Sequence, residues 1–430
     1  MPLADFQQAT LQEYMHQQGC PLCRATWQVD TKQFDWYVND GVLDEETQQR
    51  VRHSLGFCVP HTLFLPLIEG SEFLWSHLGS CMVSVDVIEQ ELLPALQKFL
   101  TPSGHSMLYT LNWKVFSPLR YLFHHGECPL CFDHRQNEAT YREQFIQSFS
   151  SQAKFQQTYA QCDGLCVPHL QQMHKSFLGQ HNVLEDIESQ MVERHKQEST
   201  TRSLDHLKQR LGMLYGMDTL LWSDYVFRVT LRSSDTNAPS CFACQDEARE
   251  GTRTLTAFLE HFEGTSHAEE RSDILLSLCT WHAWWVFKHC TTEPALLARL
   301  EPILHDRGTH MLEHPQHGDQ ALCHLCLWVS EQEAIRVEQL QRHLYNTQQQ
   351  VQLCFWHTNI ALRAASNTKD AEYLVGALLH SAFPLSKRLG AYVQKCSQHL
   401  QVQMQPDELG VWFDAVRWFV GSENAQFLLA

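Results

Sequence analysis

The residues with the clearest chemical meaning are cysteines and histidines, in a chain of 430 residues that contains 16 Cys and 26 His. Twelve of the cysteines belong to one pattern, a CxxC motif followed by a CxxH motif, which occurs four times. The inner cysteines of the two motifs are separated by 34, 34, 34 and 27 residues. Four matched pairs of motifs at nearly constant spacing indicate a repeated set of metal ligands.

Each repeat offers three cysteine sulfurs and one histidine nitrogen. Three thiolates and one imidazole complete a tetrahedral zinc site and leave no position for water or substrate, which is typical of a structural rather than a catalytic site. We therefore expect about four zinc ions per chain, one for each repeat. The predicted sites are Cys20, Cys23, Cys58 and His61; Cys128, Cys131, Cys166 and His169; Cys241, Cys244, Cys279 and His282; and Cys323, Cys326, Cys354 and His357.

Other chemistries of paired cysteines fit the pattern less well. A disulfide framework needs an oxidising compartment and leaves the CxxH motifs unexplained. A thioredoxin-like motif expects a βαβ context, and attachment of c-type haem needs a histidine directly after the second cysteine. Those positions hold Arg24, Phe132, Gln245 and Leu327. Iron–sulfur clusters with the same ligands remain the alternative, because the sequence alone does not separate them from zinc.

The segments between the motifs predict helices joined by turns. In the first repeat, Asn39-Asp40-Gly41 is a turn signal and Asp44 is a predicted N-cap. Proline follows the first cysteine in CPLC and precedes the histidine in CVPH, and proline is favoured in the first turn of a helix. Each ligand motif is therefore predicted to begin a helix.

These elements predict an all-α protein of four tandem helical repeats, each a helical hairpin clamped by a Cys3His metal site. Two antiparallel helices of similar length would return the chain to its starting point. The CxxC and the CxxH of the same repeat would then meet at the open end of the hairpin. The predicted repeats cover residues 1–105, 106–217, 218–315 and 316–430.

The first two repeats also share longer motifs. CPLC occurs at Cys20–Cys23 and at Cys128–Cys131, and the first repeat continues through an Asn-Asp-Gly turn to a GFCxxH motif that ends at His61. This combination resembles a family of uncharacterised bacterial proteins. The resemblance implies an all-helical domain that binds metal at the matching Cys and His positions, and it implies no known activity. In the last two repeats, Phe242 and His324 replace the proline of CPLC.

Composition excludes several other functions. The formal net charge is −17, with 32 Lys and Arg against 49 Asp and Glu, which argues against nucleic-acid binding. No apolar run reaches the roughly 18 residues that span a bilayer. The first residues lack the basic and apolar regions of a signal peptide, so we expect a cytoplasmic protein without a membrane partner. Common catalytic motifs such as GxxxxGK[ST], GxSxG and HExxH are missing from the sequence, which favours a role other than catalysis.

The sequence thus predicts a zinc-binding helical repeat protein with a protein-interaction or scaffold role and an unidentified protein partner. The alternative is a redox- or metal-responsive protein that carries Cys3His-ligated iron–sulfur clusters. Trp281, Trp284 and Trp285 either pack in the core or line an apolar pocket, and the sequence leaves this open.

The metal content provides the first test. Protein purified without added metal is expected to contain about four zinc ions per chain, because four complete ligand sets are present. Elemental analysis of the purified chain measures this directly. Iron as the main metal, or about two or fewer equivalents of any metal, would contradict the prediction.

Overall fold

The computed structural model describes a helical protein. The described residues are 3–72, 77–101, 126–177, 179–197, 352–365, 367–398 and 410–420, together with 209, 211–214, 283, 335, 404 and 408. All regular secondary structure in these ranges is helical, which confirms the predicted all-α class there. None of the helices in these ranges combines the length and the apolarity needed to cross a bilayer.

The helices are numbered here in chain order. The first seven are α1 (Leu3–Tyr14), α2 (Pro21–Asn39), α3 (Glu45–His53), α4 (Val59–Glu72), α5 (Leu78–Asp86), α6 (Leu93–Leu100) and α7 (Pro129–Ser151). The others are α8 (Ala153–Tyr159), α9 (Val167–Ser176), α10 (His181–Gln197), α11 (Phe355–Ala364), α12 (Thr368–Ser397) and α13 (Val411–Val420). A short 3₁₀ helix (Gly41–Leu43) precedes α3, and a π-helical turn (Val87–Leu92) joins α5 to α6.

The chain divides into two compact units, each assembled from separate stretches of sequence. The first unit comprises Met1–Asp30, Asp133–Phe227 and Leu255–Trp328, and the second comprises Thr31–Phe132, Arg228–Thr254 and Val329–Ala430. The division falls inside α2 and inside α7. The four repeats predicted from the sequence are not confirmed by this division and stay a prediction.

The first unit has a core rich in aromatic side chains. Phe145 packs edge-on against Phe155 and Tyr159, with ring centroids 5.4 and 5.5 Å apart. Cys20, Cys23 and Cys166 lie in the same buried cluster as these rings. The ligand motifs of this unit are therefore fixed by the same packing that forms its core.

The second unit is organised around the 30-residue helix α12. This helix packs against α5, α6, α11 and α13, and Leu378 and Leu389 on it are fully buried. Its first turn is capped by Asn367, whose side chain accepts a hydrogen bond from the backbone N–H of Asp370 at 3.0 Å. Helix α4, which begins with a CxxH motif, packs against α13 and α5 in this unit.

Several local predictions are confirmed. Helices α2, α4, α7, α9 and α11 each begin directly after the first cysteine of a ligand motif. The chain turns after Asn39, and the side chain of Asp44 accepts a hydrogen bond from the backbone N–H of Thr47 at 2.9 Å as an N-cap. The segments between the ligand motifs of the last two repeats, where helices are also predicted, lie outside the described residues, apart from residues 335, 352 and 353.

The prediction of hairpin arms of similar length is wrong for the first two repeats. Helix α2 has 19 residues and α3 has 9, while α7 has 23 and α8 has 7. At 1.5 Å per residue, α2 is about 28 Å long and α3 only about 14 Å. After α3, Leu55 and Gly56 take positive φ angles of 57° and 93°, so the chain turns instead of extending the return arm.

Candidate metal centres

The ligands in the described ranges gather into two clusters. Cluster A consists of Cys20, Cys23, Cys166 and His169, and cluster B consists of Cys58, His61, Cys128 and Cys131. In each cluster the donor atoms all lie within 4.8 Å of one another. Each cluster contains three cysteines and one histidine, as predicted, but it takes its CxxC from one repeat and its CxxH from the other.

The prediction that each hairpin closes its own site is therefore wrong for these two repeats. The physical reason is the unequal length of the helices between the motifs. A short return helix does not bring the CxxH back to the CxxC of its own repeat, because α3 covers only about half the length of α2. Each CxxH instead meets the CxxC of the other repeat.

In the five ligand motifs within the described residues, both ligands sit at the start of a helix. The first cysteine is the N-cap, because its carbonyl oxygen accepts a hydrogen bond from the backbone N–H four residues later. These N–H donors belong to Arg24, Thr62, Phe132, Leu170 and Thr358, at 2.8–3.2 Å. The second ligand then lies at the third helical position, so both side chains point from one helix end. Such an end also favours negative charge, which suits thiolates.

Cluster A has the dimensions of a tetrahedral site. The Sγ atoms of Cys23 and Cys166 are 3.6 Å apart, and Nδ1 of His169 lies 3.5, 3.4 and 2.9 Å from Sγ of Cys20, Cys23 and Cys166. Zinc bonds of about 2.3 Å to sulfur and about 2.0 Å to nitrogen give edges of about 3.8 and 3.5 Å. A disulfide would need about 2.05 Å. The four side chains therefore fit one zinc ion.

Cluster B has similar dimensions. The Sγ atoms of Cys58 and Cys131 are 3.6 Å apart, and Nδ1 of His61 lies 3.2, 3.3 and 3.4 Å from Sγ of Cys58, Cys128 and Cys131. The cysteines of both clusters form no disulfides. The donor set and its spacing again fit a single zinc ion.

The protons in cluster A are unevenly shared. Burial opposes ionisation of Cys20, but hydrogen bonds from Cys166 and Cys23 together with the positive charge of His169 outweigh it and lower its pKa. Burial likewise opposes the charged form of His169, but Cys23 and Cys20 raise its pKa well above the usual value. Without metal, a thiolate thus faces an imidazolium.

Cluster B shares its protons in the same way. Hydrogen bonds from Cys131 and Cys58 lower the pKa of Cys128. Burial lowers the pKa of His61, but hydrogen bonds with Cys128 and Cys131 overcome this and raise it to about 10. A metal ion must therefore displace protons from either cluster, so binding weakens as the pH falls.

The imidazole of His169 is fixed from two sides. Its Nδ1 faces the sulfurs, and its Nε2–H donates to Oε1 of Glu138 at 3.0 Å. Glu138 lies on α7 and is 7% exposed. Burial alone would raise the pKa of Glu138, but the hydrogen bond with His169 keeps it lowered. A carboxylate behind a ligating imidazole fixes its tautomer and orientation and raises its basicity.

Glu138 is not among the residues predicted from the sequence, although the repeat register contains a signal. Glu138 follows Cys128 by ten residues, and Asp30 follows Cys20 by ten. Both carboxylates are 7% exposed, which is unusual for an acidic side chain. An acidic residue at the same position of two repeated helices indicates a role near the ligands.

His134 completes the surroundings of cluster A. Its Nδ1 lies 2.6 Å from Oδ2 of Asp30, and its Nε2 lies 4.0 Å from Oε2 of Glu138. Burial opposes the charged form of His134, but Asp30 overcomes this and raises its pKa. His134 therefore supports the carboxylates around cluster A and is not one of its ligands.

Cys354 and His357 form a third CxxH pair within the described residues, and both of the remaining CxxC motifs lie outside those residues. Sγ of Cys354 lies 3.0 Å from Nδ1 of His357, and the two residues are 3% and 1% exposed. Cys354 has φ −76° and ψ 164° as the N-cap of α11, close to the −74° and 157° of Cys166 at the start of α9. The pair therefore has the local geometry of the ligands in clusters A and B.

The remaining predicted ligands lie outside the described residues. They are Cys241, Cys244, Cys279, His282, Cys323 and Cys326. Trp281, Trp284 and Trp285 also lie outside them. Cys162 is buried and accepts a hydrogen bond from the backbone N–H of Gly164 at 3.3 Å, so it packs beside cluster A without joining it.

Comparison with known proteins identifies one similarity. Residues 7–215 match a family of unknown function (DUF6062). The resemblance to an uncharacterised family is thereby confirmed for a little under half of the chain. The matched residues contain all the ligands of clusters A and B. No curated protein and no solved structure gives a significant match.

The crossed pairing can be tested by alkylation of cysteines. In the variant Cys20→Ser/Cys23→Ser, cluster A loses two ligands, so Cys166 should react with iodoacetamide much faster than in the unmodified protein. Cys58 should keep its original rate, because cluster B is intact. Peptide mass spectrometry measures both rates in one sample.

The matched control is Cys128→Ser/Cys131→Ser. Here Cys58 should become reactive while Cys166 stays protected. The opposite pattern in the two variants would mean that each repeat closes its own site.

Proposed function

We propose that this chain is a helical repeat protein whose repeats are fastened together by structural zinc, with a protein-interaction or scaffold role. The observation that carries the proposal is cluster A. The distances between its donor atoms are 2.9–3.6 Å where they are in contact, against edges of about 3.5–3.8 Å in a tetrahedral zinc site, and all four residues are at most 7% exposed. Four protein ligands fill the coordination of zinc and leave no position for a substrate.

The compactness of the clusters favours zinc over the alternative of iron–sulfur clusters. All donor atoms of a cluster lie within 4.8 Å of one another, which leaves room for one ion. An iron–sulfur cluster places several iron atoms and bridging sulfides between its ligands, so the ligand sulfurs must stand farther apart. We therefore retain zinc as the cofactor of the proposal.

The crossed pairing supports a fastening role. Cluster A joins residues 149 positions apart, Cys20 and His169, and cluster B joins Cys58 and Cys131 across 73 positions. Closing loops of this length removes many conformations from the unfolded chain, so a bound ion stabilises the fold. Each ion would connect one repeat to the other.

The proposal extends to the second half of the chain. The same two motifs occur there twice more, and the Cys354–His357 pair already has the geometry of the other CxxH pairs. We propose that pairing is crossed there as well. The two further sites would be Cys241, Cys244, Cys354 and His357, and Cys279, His282, Cys323 and Cys326.

The proposed partner is a protein, and the proposed location is the cytoplasm. An excess of acidic residues disfavours nucleic acid. The second unit exposes Trp36, Leu43 and Phe132, at 40%, 76% and 46%, and such apolar side chains suit a protein contact. Thiolate ligands also require a reducing compartment.

Removal of the metal tests the structural role. Dialysis against a strong chelator should lower the midpoint of thermal unfolding, measured by circular dichroism, by about 10 °C or more. Adding back zinc should restore it. X-ray absorption at the zinc edge should show three sulfurs at about 2.3 Å and one nitrogen at about 2.0 Å. An unchanged midpoint after complete removal of zinc, or an oxygen ligand from water, would contradict the proposal.

The extension to the second half has its own test. In the variant Cys241→Ser/Cys244→Ser, Cys354 should become reactive toward iodoacetamide, because it loses its proposed partners. In the control Cys323→Ser/Cys326→Ser, Cys354 should stay protected. Peptide mass spectrometry distinguishes the two outcomes, and reactivity of Cys354 in the control alone would favour pairing within the fourth repeat.

A further inference from the structure

Clusters A and B have the same ligand types but different exposure. In cluster A, Cys20 and Cys166 are fully buried, and Cys23 and His169 are 4% and 7% exposed. In cluster B only Cys128 is buried, at 8% exposed, whereas Cys58, His61 and Cys131 are partly exposed. Two cysteines of cluster B are therefore partly exposed, whereas all three cysteines of cluster A are buried.

The histidines of the two clusters are also supported differently. His169 donates its Nε2–H to the buried carboxylate of Glu138. His61 lies instead between aromatic rings, with Phe34 at 5.2 Å and Phe64 at 6.4 Å between centroids, both edge-on. Among the described residues, no hydrogen bond reaches Nε2 of His61.

The repeat register explains this difference. The position that holds Glu138 in the second repeat holds Asp30 in the first. Asp30 has one methylene fewer, and its Oδ2 is bonded to His134 rather than to His61. Cluster B therefore lacks the carboxylate contact that fixes the imidazole of cluster A, and such contacts typically change metal affinity 10–100-fold.

We propose that the two clusters have divided roles: cluster A holds its zinc permanently, and cluster B is an exchange site that loses zinc to, and regains it from, small soluble thiols and chelators. This inference rests on the proposed function, since it requires that both clusters bind zinc. With this division of roles, zinc binding at cluster B responds to the zinc supply, while the zinc of cluster A continues to hold the core together.

The chemistry of exchange requires access to the ligands. An incoming thiol would lose its proton and replace Cys58 or Cys131 as a ligand, and the displaced thiolate would take up that proton. The partial exposure of Cys58 and Cys131 favours this approach. In cluster A, the buried sulfurs and the fixed His169 block it.

The experiment compares the two clusters in the same full-length chain. Zinc-loaded protein is mixed with the chelating dye 4-(2-pyridylazo)resorcinol and pulsed with iodoacetamide at increasing times. Peptide mass spectrometry then follows each cysteine separately, so zinc bound elsewhere in the chain does not interfere. Cys58 and Cys131 should be alkylated about tenfold faster than Cys20, Cys23 and Cys166, or more.

A variant of Glu138 tests the cause of the difference. Glu138→Gln keeps the shape of the side chain but removes its charge, and it should speed the alkylation of Cys20, Cys23 and Cys166 about tenfold or more. The rates of Cys58 and Cys131 should not change. The control Glu143→Gln alters an exposed glutamate of the same helix and should leave both clusters unaffected.

The outcomes separate the two proposals. If cysteines of both clusters react at once and the purified chain contains no zinc, the proposed function itself fails. If zinc is present but the cysteines of clusters A and B react at equal rates, the function stands and the division of roles is overturned. Unchanged rates in a folded Glu138→Gln variant would overturn the role given to Glu138.

Discussion

The convergence of four donor groups from two repeats is the constraint on which the described structure depends. A cluster of three thiols and an imidazole in an apolar core is costly unless each polar group has a partner. In cluster A the partners are the ligands themselves and Glu138. The motifs that meet there belong to the same buried core as Phe145, so any shift of one motif would disturb both the ligands and the packing.

Helix ends provide the positions of these donors. Every ligand motif in the described ranges places its first cysteine at an N-cap and its second ligand one turn later. Two such ends that face each other present four side chains to one point. The N-terminal end of a helix also stabilises negative charge. The arrangement therefore offsets part of the electrostatic cost of placing several thiolates close together. The same motif can therefore serve in both clusters with little change of local structure.

A small number of residues accounts for the different surroundings of the two clusters. A glutamate in one repeat and an aspartate in the other occupy the same place in the register, but only Glu138 reaches a ligand. Burial adds to the difference, because Cys58 and Cys131 are partly exposed and their counterparts are not. A repeated ligand set thus gives two environments, and their chemistry follows from what surrounds the ligands rather than from the ligands.

The sequence by itself determined the ligand types, the helical class and the starts of the helices. These are local properties, since a CxxC or CxxH at a helix start needs only neighbouring residues, and Asp44 caps α3 in the same local way. The sequence did not determine which motifs meet. That choice depends on the lengths of the intervening helices, and apolar periodicity does not reveal where α2 ends its 19 residues or α3 its 9. Only the tertiary structure decided that the motifs cross between repeats, because pairing is fixed by distance in space and not by order along the chain.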